Sequence, residues 1–274
     1  MFRNQYDNDI TVWSPQGRIH QIEYAMEAVK LGSVTLALKN TEYAVVASMK
    51  RSSSKLVKSQ HKIMEIDDHV ACSMSGLLAD GQQLAKFMRT ECLDSKWSFD
   101  SALSIERLTR TVANKSQRYT QTYGRRPYGV GLLVIGYDDL GSHVFQTCPS
   151  ANFYECEATA IGSRSQSART YLERNLDVFK TCSLEELITH AMHALSNSLA
   201  NDQEMTKENV ELGFLGKDLS FRKLTEVEIE NYLQNVETKK PSRNIQDDAD
   251  QGAADAAPAT GQEGTEGGDD APMQ

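Results

Sequence analysis

The sequence lacks the features that mark secreted and membrane proteins. Its cysteines are few and odd in number, five in 274 residues, with irregular spacing and no Cys-x-x-Cys pair. This pattern disfavours a disulfide framework or a zinc site and indicates free thiols in a reducing compartment. No apolar run approaches the length of about 18 residues that marks a membrane-spanning helix. The segment Met1–Asp7 contains no apolar stretch of the signal-peptide kind, so secretion and membrane spanning are both disfavoured.

An excess of basic charge is also lacking, and the chain has no basic side chain from residue 244 onward. From Asn244 to Gln274 the chain has eight acidic residues and no Lys or Arg; removing these eight charges from the net charge of −9 leaves −1. The body therefore offers no bulk electrostatic case for binding nucleic acid. Phe, Trp and Tyr are absent from residue 238 onward. Because such a segment cannot bury enough apolar surface to fold, we expect residues 238–274 to form a disordered acidic tail.

The remaining chain contains hydrophobic patterns of strand and helix in regular succession. Strand patterns cover 33–39, 43–47, 63–66, 70–75, 129–137, 142–147, 154–161, 209–215 and 219–223,. Helical patterns cover 18–31, 77–97, 101–122, 165–176, 184–199 and a segment from Thr225,. The helix at 18–31 is expected to bury the stripe Ile19, Ile22, Met26 and Val29. Capping boxes, Ser183 with Glu186 and Thr225 with Glu228, mark the starts of the last two helices.

The order of these elements predicts the fold class. Strands, two helices, strands, two helices, strands and a final helix follow one another along the chain. Amphipathic helices need a sheet face against which to bury their apolar side, so this order suits two stacked sheets, each covered by helices. The sequence therefore predicts a layered α+β domain.

The segment Tyr6–Ala25 carries the most specific motif of the chain. It contains an aromatic residue, then Ser-Pro-x-Gly-Arg from Ser14 to Arg18, then Gln-x-Glu-Tyr-Ala from Gln21 to Ala25. This combination resembles the N-terminal signature of proteasome alpha-type subunits. The resemblance covers about residues 1–237 and continues through Gly32–Thr35, Ser75–Leu77, Gly124–Val130 and Ile161–Glu173.

The resemblance implies a fold, a domain organisation and a set of partners. The expected fold is a four-layer αββα sandwich of the N-terminal-nucleophile hydrolase type, with residues 1–17 as a gating tail, 18–237 as the domain, and an extra helix at 18–31. The expected partners are other alpha subunits in a seven-membered ring, the beta-ring subunits, regulatory-particle ATPases and other activators. The implied location is the cytoplasm and nucleus, with no cofactor, membrane or nucleic acid as partner.

The residues that match the catalytic positions of proteolytic relatives argue against catalysis. Those relatives use an N-terminal Thr, whose free amine helps to activate its hydroxyl. Here the matching residue is Ser33, which is internal and follows Gly32; Met49 stands at the position of the catalytic Asp, and only Lys62 is retained. We therefore expect no catalytic residue. The implied function is that of a non-catalytic structural and gating subunit in ubiquitin-dependent and ubiquitin-independent protein degradation.

The resemblance implies two functional sites. Residues matching a gating cluster are Tyr6, Asp7, Pro15 and Tyr24, although Asn8 stands where many members have Arg. The alternative for residues 1–12 is a frayed terminus. Residues matching an activator-docking pocket are Lys62, Gly76 and Leu77. In such a pocket a lysine ammonium faces a chain-terminal carboxylate, and the alternative is a solvated surface lysine.

Two rival functions and one metal hypothesis stay open. An active threonine-type hydrolase would require Ser33 to react. An adaptor or RNA-binding protein would act outside the barrel that the alpha and beta rings of a proteasome form. The pair Arg125–Arg126, with Tyr123 and Tyr128 nearby, is compatible with RNA, although such residues more often anchor a turn or a subunit contact. His190 and His193 have the three-residue spacing of metal ligands on a helix. No acidic or thiol partner completes that set, so we expect no metal.

Overall fold

The computed structural model describes residues 5–51, 56–57, 60–199 and 205–238. Within these ranges the strands are β1 Thr35–Lys39, β2 Tyr43–Met49, β3 Ile63–Asp67, β4 Val70–Gly76, β5 Val130–Asp138, β6 Gly141–Thr147, β7 Phe153–Glu155, β8 Ala158–Ile161, β9 Val210–Gly216 and β10 Leu219–Lys223. The helices are α1 His20–Leu31, α2 Leu78–Phe99, α3 Ile105–Gln121, α4 Ser165–Arg174, α5 Leu176–Phe179, α6 Leu184–Asn197 and α7 Glu226–Thr238.

The strands form two antiparallel sheets. The first sheet has the order β10-β9-β2-β1-β8 and the second the order β3-β4-β5-β6-β7. The near-continuous apolar run of β5 and the fully buried β9 explain their places inside the sheets, because both of their faces are covered,.

Three apolar clusters hold the layers together. Side chains of α4, α6 and α7, such as Leu172, Leu187 and Ile229, pack on the first sheet. Side chains of α2 and α3, such as Met88 and Leu108, pack on the second sheet. The third cluster, to which both sheets contribute, lies between them. The expected four-layer αββα sandwich is confirmed, and α1 is the additional N-terminal helix, in contact with β4 and β5.

The prediction of one strand over 154–161 is wrong. The segment forms two short strands in different sheets: β7 pairs with β6 in the second sheet, whereas β8 pairs with β1 in the first. The chain crosses between the sheets at Cys156 and Glu157. The apolar and polar residues alternate without a break from Tyr154 to Ala160, so the sequence pattern runs on through the crossing and hides it, although β7 is largely exposed and β8 largely buried,. The predicted helix at 165–176 is likewise interrupted, because α4 ends at Arg174 and α5 begins at Leu176.

The predicted apolar stripe of the first helix is only partly correct. α1 buries His20, Ala25 and Val29, whereas Met26 is 40% exposed. The spacing of apolar residues shows that one face of a helix is apolar. It does not show which residues of that face pack against the sheets and which lie at its exposed border. Part of the apolar stripe of α1 is therefore open to solvent in the single chain.

The predicted helix starts and the predicted tail have different outcomes. Both capping boxes are confirmed, since Ser183 and Thr225 exchange hydrogen bonds with Glu186 and Glu228. α7 includes Thr238, one residue beyond the predicted domain end. The predicted disordered tail from residue 239 onward, and residues 1–4 of the gating tail, lie outside the described residues. None of the described helices is both long enough and apolar enough to cross a bilayer.

Candidate gating and docking sites

A tight turn connects the N-terminal segment to α1. Ser14 N donates to Arg18 O at 2.9 Å, Gly17 N donates to Ser14 O at 2.9 Å, and Arg18 N donates to Ser14 Oγ at 3.1 Å. Gly17 has a φ of 72°, which a residue without a side chain adopts at little cost,. Pro15 is exposed within this turn, where its ring fixes φ,. The Ser-Pro-x-Gly-Arg motif therefore sets the direction in which the chain enters α1.

Asp7 is held by two side chains of α1. Tyr24 Oη donates to Asp7 Oδ2 at 3.0 Å, and Gln21 Nε2 donates to Asp7 O. Ile10, nearby in sequence, is only 2% exposed. A frayed terminus does not fit these contacts. The structure thus brings together Asp7 and Tyr24 of the predicted gating set, whereas no hydrogen bond between described residues joins Tyr6 or Pro15 to that pair.

A bidentate ion pair braces the start of α1. Arg18 Nε and Nη2 lie 2.6 and 2.7 Å from the two carboxylate oxygens of Glu23. The hydrogen bonds from Arg18 hold the pKa of Glu23 below its ordinary value. Sequence reasoning missed this pair, although both residues lie inside the motif that identified the family. Since this geometry is fixed by two parallel hydrogen bonds, the pair orients the turn as well as stabilising it.

Lys62 lies inside the protein, against Ser33. Its Nζ donates to Ser33 O at 2.6 Å, to Ser33 Oγ at 2.9 Å and to Val34 O at 3.4 Å. The residue is only 3% exposed, and burial lowers the pKa of its ammonium to about 7. The alternative of a solvated surface lysine is therefore wrong. In this conformation the ammonium faces oxygens of its own chain and not the solvent.

The surroundings of Ser33 lack two of the groups that activate the nucleophile of a threonine-type hydrolase. Ser33 Oγ donates to the backbone oxygen of Met49 at 2.8 Å, and the Met49 side chain is buried in the core of the first sheet. The nitrogen of Ser33 is a peptide amide that follows Gly32, so it cannot act as a base. The constellation therefore contains a serine and a lysine but neither the amine nor the carboxylate of a threonine-type hydrolase.

Gly76 and Leu77 lie at the end of β4, close to the Ser33 site. Ser75 Oγ donates to Ser33 O at 3.1 Å, the same oxygen that accepts from Lys62. Gly76 has a φ of 114°, and a Cβ there would clash with Gly129 O. Leu77 is 49% exposed at the start of α2. Of the three predicted docking residues, Lys62 therefore binds Ser33 O directly, whereas Gly76 and Leu77 follow Ser75, which binds the same oxygen; Leu77 has the exposed side chain and Lys62 the buried one.

Asp80 and Arg126 hold the loop beside Leu77, and sequence reasoning did not pair them. Arg126 Nη1 and Nη2 donate to the two oxygens of Asp80 at 2.6 and 2.8 Å, and Gly129 N donates to Asp80 Oδ2 at 2.9 Å. Burial alone would raise the pKa of Asp80, but the hydrogen bonds from Arg126 and from Gly129 N, together with the charge of Arg126, outweigh it and lower the pKa. Arg126 therefore anchors a turn, which was one of the two alternatives to RNA binding.

The histidine pair of α6 packs against aromatic side chains. His190 Nδ1 lies 2.9 Å from the Tyr171 hydroxyl, and its ring packs edge-on to Phe179. His193 lies near the same Tyr171 ring. Across the part of the chain that the structure describes, no three His, Cys, Asp or Glu side chains come together as metal ligands.

Comparison with known proteins agrees with these features. Residues 6–28 match the N-terminal signature family of the A-type proteasome subunits, and residues 29–215 match the family described as proteasome subunit. The chain is 52% identical over 242 residues to proteasome subunit alpha type-1 of Dictyostelium discoideum, covering 88% of this chain and 98% of that protein. It is 51% identical to the Drosophila melanogaster protein of the same name, over 81% and 80% of the two chains. A probable proteasome subunit alpha type-6 of Schizosaccharomyces pombe is 48% identical, over 88% and 89%.

Proposed function

Because this chain belongs to the proteasome subunit family, as an alpha-type subunit of the 20S core, we propose that it gates the ring pore and docks activators. Alpha-type subunits are the non-catalytic ring members of a threonine-protease complex, and they assemble with other proteasome subunits. The hydrolase alternative is therefore wrong, and an adaptor outside the barrel does not fit this membership. The proposed process is ubiquitin-dependent and ubiquitin-independent degradation in the cytoplasm and nucleus.

The observation that carries the gating proposal is the bond between Tyr24 and Asp7. It joins the N-terminal segment to α1, so the direction of the segment depends on a helix that rests on the sandwich. A tail held in this way points in one direction and leaves an axial pore open, whereas a released tail is free to cover it. Tyr6 and Pro15 belong to the same proposed gating set, Pro15 through the turn that it helps to form.

Replacing Tyr24 by Phe in reconstituted core particles tests the gating proposal. The change removes one hydrogen bond to a carboxylate, worth about 1.5 kcal/mol. We therefore expect the open form to lose about tenfold against the closed form. The readout is the ratio of activator-stimulated to basal hydrolysis of a fluorogenic peptide. The matched control is Tyr123→Phe, because Tyr123 is 80% exposed. An equal ratio in both variants would contradict the proposal.

The docking proposal rests on Leu77 and the carbonyl network behind it. Leu77 offers exposed apolar surface. Behind it, Lys62 and Ser75 at the end of β4 both donate a hydrogen bond to Ser33 O. The proposed ligand is the C-terminal segment of a regulatory-particle ATPase or another activator. Docking of its carboxylate on Lys62 requires the ammonium to leave Ser33, so Leu77 makes the first contact in this proposal.

Exposed apolar side chains support the proposal of a seven-membered ring with other alpha subunits, stacked on beta-ring subunits. Met26 and Leu31 of α1 are 40% and 77% exposed, and Trp13 before it is 64% exposed. A ring closed by head-to-tail contacts needs two different complementary surfaces on each protomer. We propose that the open side of α1 belongs to one of them, since burial of these side chains against a neighbour removes apolar area from water.

A further inference from the structure

Lys62 is a buried cation whose direct partners are neutral. The side chain is 3% exposed, and its Nζ lies within hydrogen-bonding distance of Ser33 O, Ser33 Oγ and Val34 O. The Ser75 hydroxyl of β4 and the Met49 carbonyl of β2, which belong to the same cluster, are also uncharged. None of the ion pairs between described residues includes Lys62. Because buried charges in proteins are normally paired, the site lacks an anion.

Glu211 of β9 attracts this ammonium without pairing with it. Its Oε2 accepts hydrogen bonds from the backbone nitrogens of Lys62 and Ile63 at 2.9 and 3.1 Å. Its Oε1 lies 3.0 Å from His61 Nδ1 and 3.1 Å from Nζ of Lys223 on β10. Burial alone would raise the pKa of Glu211, but the two backbone hydrogen bonds and the charge of Lys223 outweigh it and lower the pKa. The carboxylate is therefore ionised and already engaged, and it does not serve as the missing partner.

The same three oxygens suit both protonation states of Lys62. The ammonium donates to all three of them. The neutral amine can donate to the carbonyls of Ser33 and Val34 and accept a hydrogen bond from the Ser33 hydroxyl, which is both donor and acceptor. Burial lowers the pKa of the ammonium to about 7, against the attraction of Glu211. In the undocked site the neutral amine is therefore the main form above about pH 7.

The proposed docking ligand brings the anion that the site lacks. A chain-terminal carboxylate accepts a strong, charge-assisted hydrogen bond from an ammonium. Beside a neutral amine the same carboxylate would be a desolvated charge without a counter-charge, which is costly. Docking therefore selects the protonated form of Lys62. The fraction of chains that already carry this form sets the apparent affinity, as for any ligand that binds one of two states.

We propose that docking of an activator's terminal carboxylate is coupled to the uptake of one proton by Lys62, so that activators dock more tightly as the pH falls. The inference rests on the docking proposal above and adds a regulation of the same site. With an undocked pKa of about 7, the apparent affinity should fall about tenfold for each pH unit above that value and level off below it. From about pH 6.5 to about pH 8.5 the expected loss is about 25-fold.

Photo-cross-linking of a peptide to reconstituted core particles tests the coupling. The probe is the C-terminal segment of a regulatory-particle ATPase, with a free terminal carboxylate and a photoreactive group at its N-terminus. Because the pockets of other alpha subunits can bind the same peptide, the readout is the peptide concentration that gives half-maximal labelling of this chain. We expect this concentration to rise about 25-fold from about pH 6.5 to about pH 8.5. The same peptide with a C-terminal amide is expected to label this chain weakly throughout that range.

The variant Lys62→Arg isolates the proton. Arginine stays charged throughout this pH range, so we expect the variant to dock the probe with a half-maximal concentration that changes less than about twofold. The control His61→Gln removes the neighbouring titratable side chain, which is 64% exposed, and should leave the 25-fold change of about that size intact. If Lys62→Arg particles do not assemble, the unaltered and His61→Gln particles still decide. A flat profile in the unaltered particles, or one that His61→Gln flattens, would overturn the proposal.

The variant Lys62→Met separates this inference from the docking proposal on which it rests. Methionine removes the charge at every pH, so we expect weak labelling of this chain throughout. Equal labelling of the variant and the unaltered chain at about pH 6.5, where most undocked sites carry the proton, would overturn docking at Lys62 and the coupling with it. Weak labelling of the variant together with a flat profile of the unaltered chain would overturn the coupling alone.

Discussion

The burial of Lys62 predicts an unusual dependence of stability on pH. Burial lowers the pKa of the folded-state ammonium to about 7 from an ordinary value of 10.5. Between these two values the unfolded chain binds one more proton than the folded chain, so the free energy of unfolding rises with pH. The contribution of the neutral Lys62 side chain to stability is fully present above pH 10.5. It decreases as the pH falls below 10.5 and is lost once the pH has fallen through about 7. The slope in that window is about 1.4 kcal/mol per pH unit.

The variant Lys62→Met isolates this contribution. Methionine keeps an unbranched side chain of similar length but cannot bind a proton. We expect the free energy of unfolding of the unaltered chain, minus that of the variant, to rise by about 2.5 kcal/mol from about pH 7.5 to about pH 9.5. Urea unfolding of the full-length chain at several pH values within this range gives the difference directly, because the titrations of Cys and Tyr residues are common to both proteins.

A matched control separates burial from the loss of a charge. Lys217 is exposed, so Lys217→Met removes the same charge from a solvated position, and its difference from the unaltered chain should stay flat with pH. A flat difference for Lys62→Met as well would refute the reasoning, because it would mean that the ammonium is as well solvated in the folded chain as in the unfolded one.

Two further substitutions probe the loop beside the docking residues. Gly76→Ala places a Cβ against a backbone oxygen at a φ of 114° and should cost more than about 2 kcal/mol of stability,. The control Gly124→Ala, with a φ of 73° but open space around it, should cost about 1 kcal/mol, and equal losses would contradict the clash. Arg126→Met leaves the carboxylate of Asp80 buried and should cost about 1–3 kcal/mol in urea unfolding at neutral pH. A loss that persists at a pH where Asp80 is protonated would argue against this charge as its cause.

The layered fold could be predicted from the sequence because its signals are local. Each helix carries its own periodicity, and a capping box such as that of Ser183 and Glu186 lies within four residues,. The crossing at Cys156 and Glu157 could not be predicted, because the same alternation fits one strand in one sheet or two strands in two sheets. Only the pairing partners of β7 and β8 distinguish these possibilities, and they are set by tertiary structure.

The candidate site was predictable where a family motif supplied it and not elsewhere. Tyr24 and Asp7 lie 17 positions apart, and the gating motif was the reason for grouping them. Asp80 and Arg126 are separated by 46 positions, and no local pattern connects an acid in a helix to an arginine in a distant loop. The sequence also could not show that Lys62 points inward, because its position just before β3 fixes its Cα but not the end of a long, flexible side chain.

Ser75 connects the end of β4, beside the proposed docking residues, to α1, which carries Tyr24 of the proposed gating set. Its hydroxyl oxygen lies 3.1 Å from Val29 O, in the last turn of α1, and 3.1 Å from Ser33 O. A Cβ on Gly32 would meet the backbone nitrogen of Gly76, so α1 and the end of β4 are in backbone contact. We therefore expect a displacement at Leu77 to be passed on to α1, the helix that holds the N-terminal segment.

This connection predicts that Ser75→Ala separates docking from gating. The substitution removes the hydroxyl at the end of β4 but leaves the exposed surface of the protein unchanged. In reconstituted core particles we expect unchanged activator affinity and a reduced ratio of stimulated to basal peptide hydrolysis. The matched control is Ser73→Ala on the same strand, because the Ser73 hydroxyl bonds Thr35 Oγ1 at 2.6 Å and not α1. A fall in affinity, or the same hydrolysis ratio in both variants, would show that α1 is not the element that carries docking to the gate.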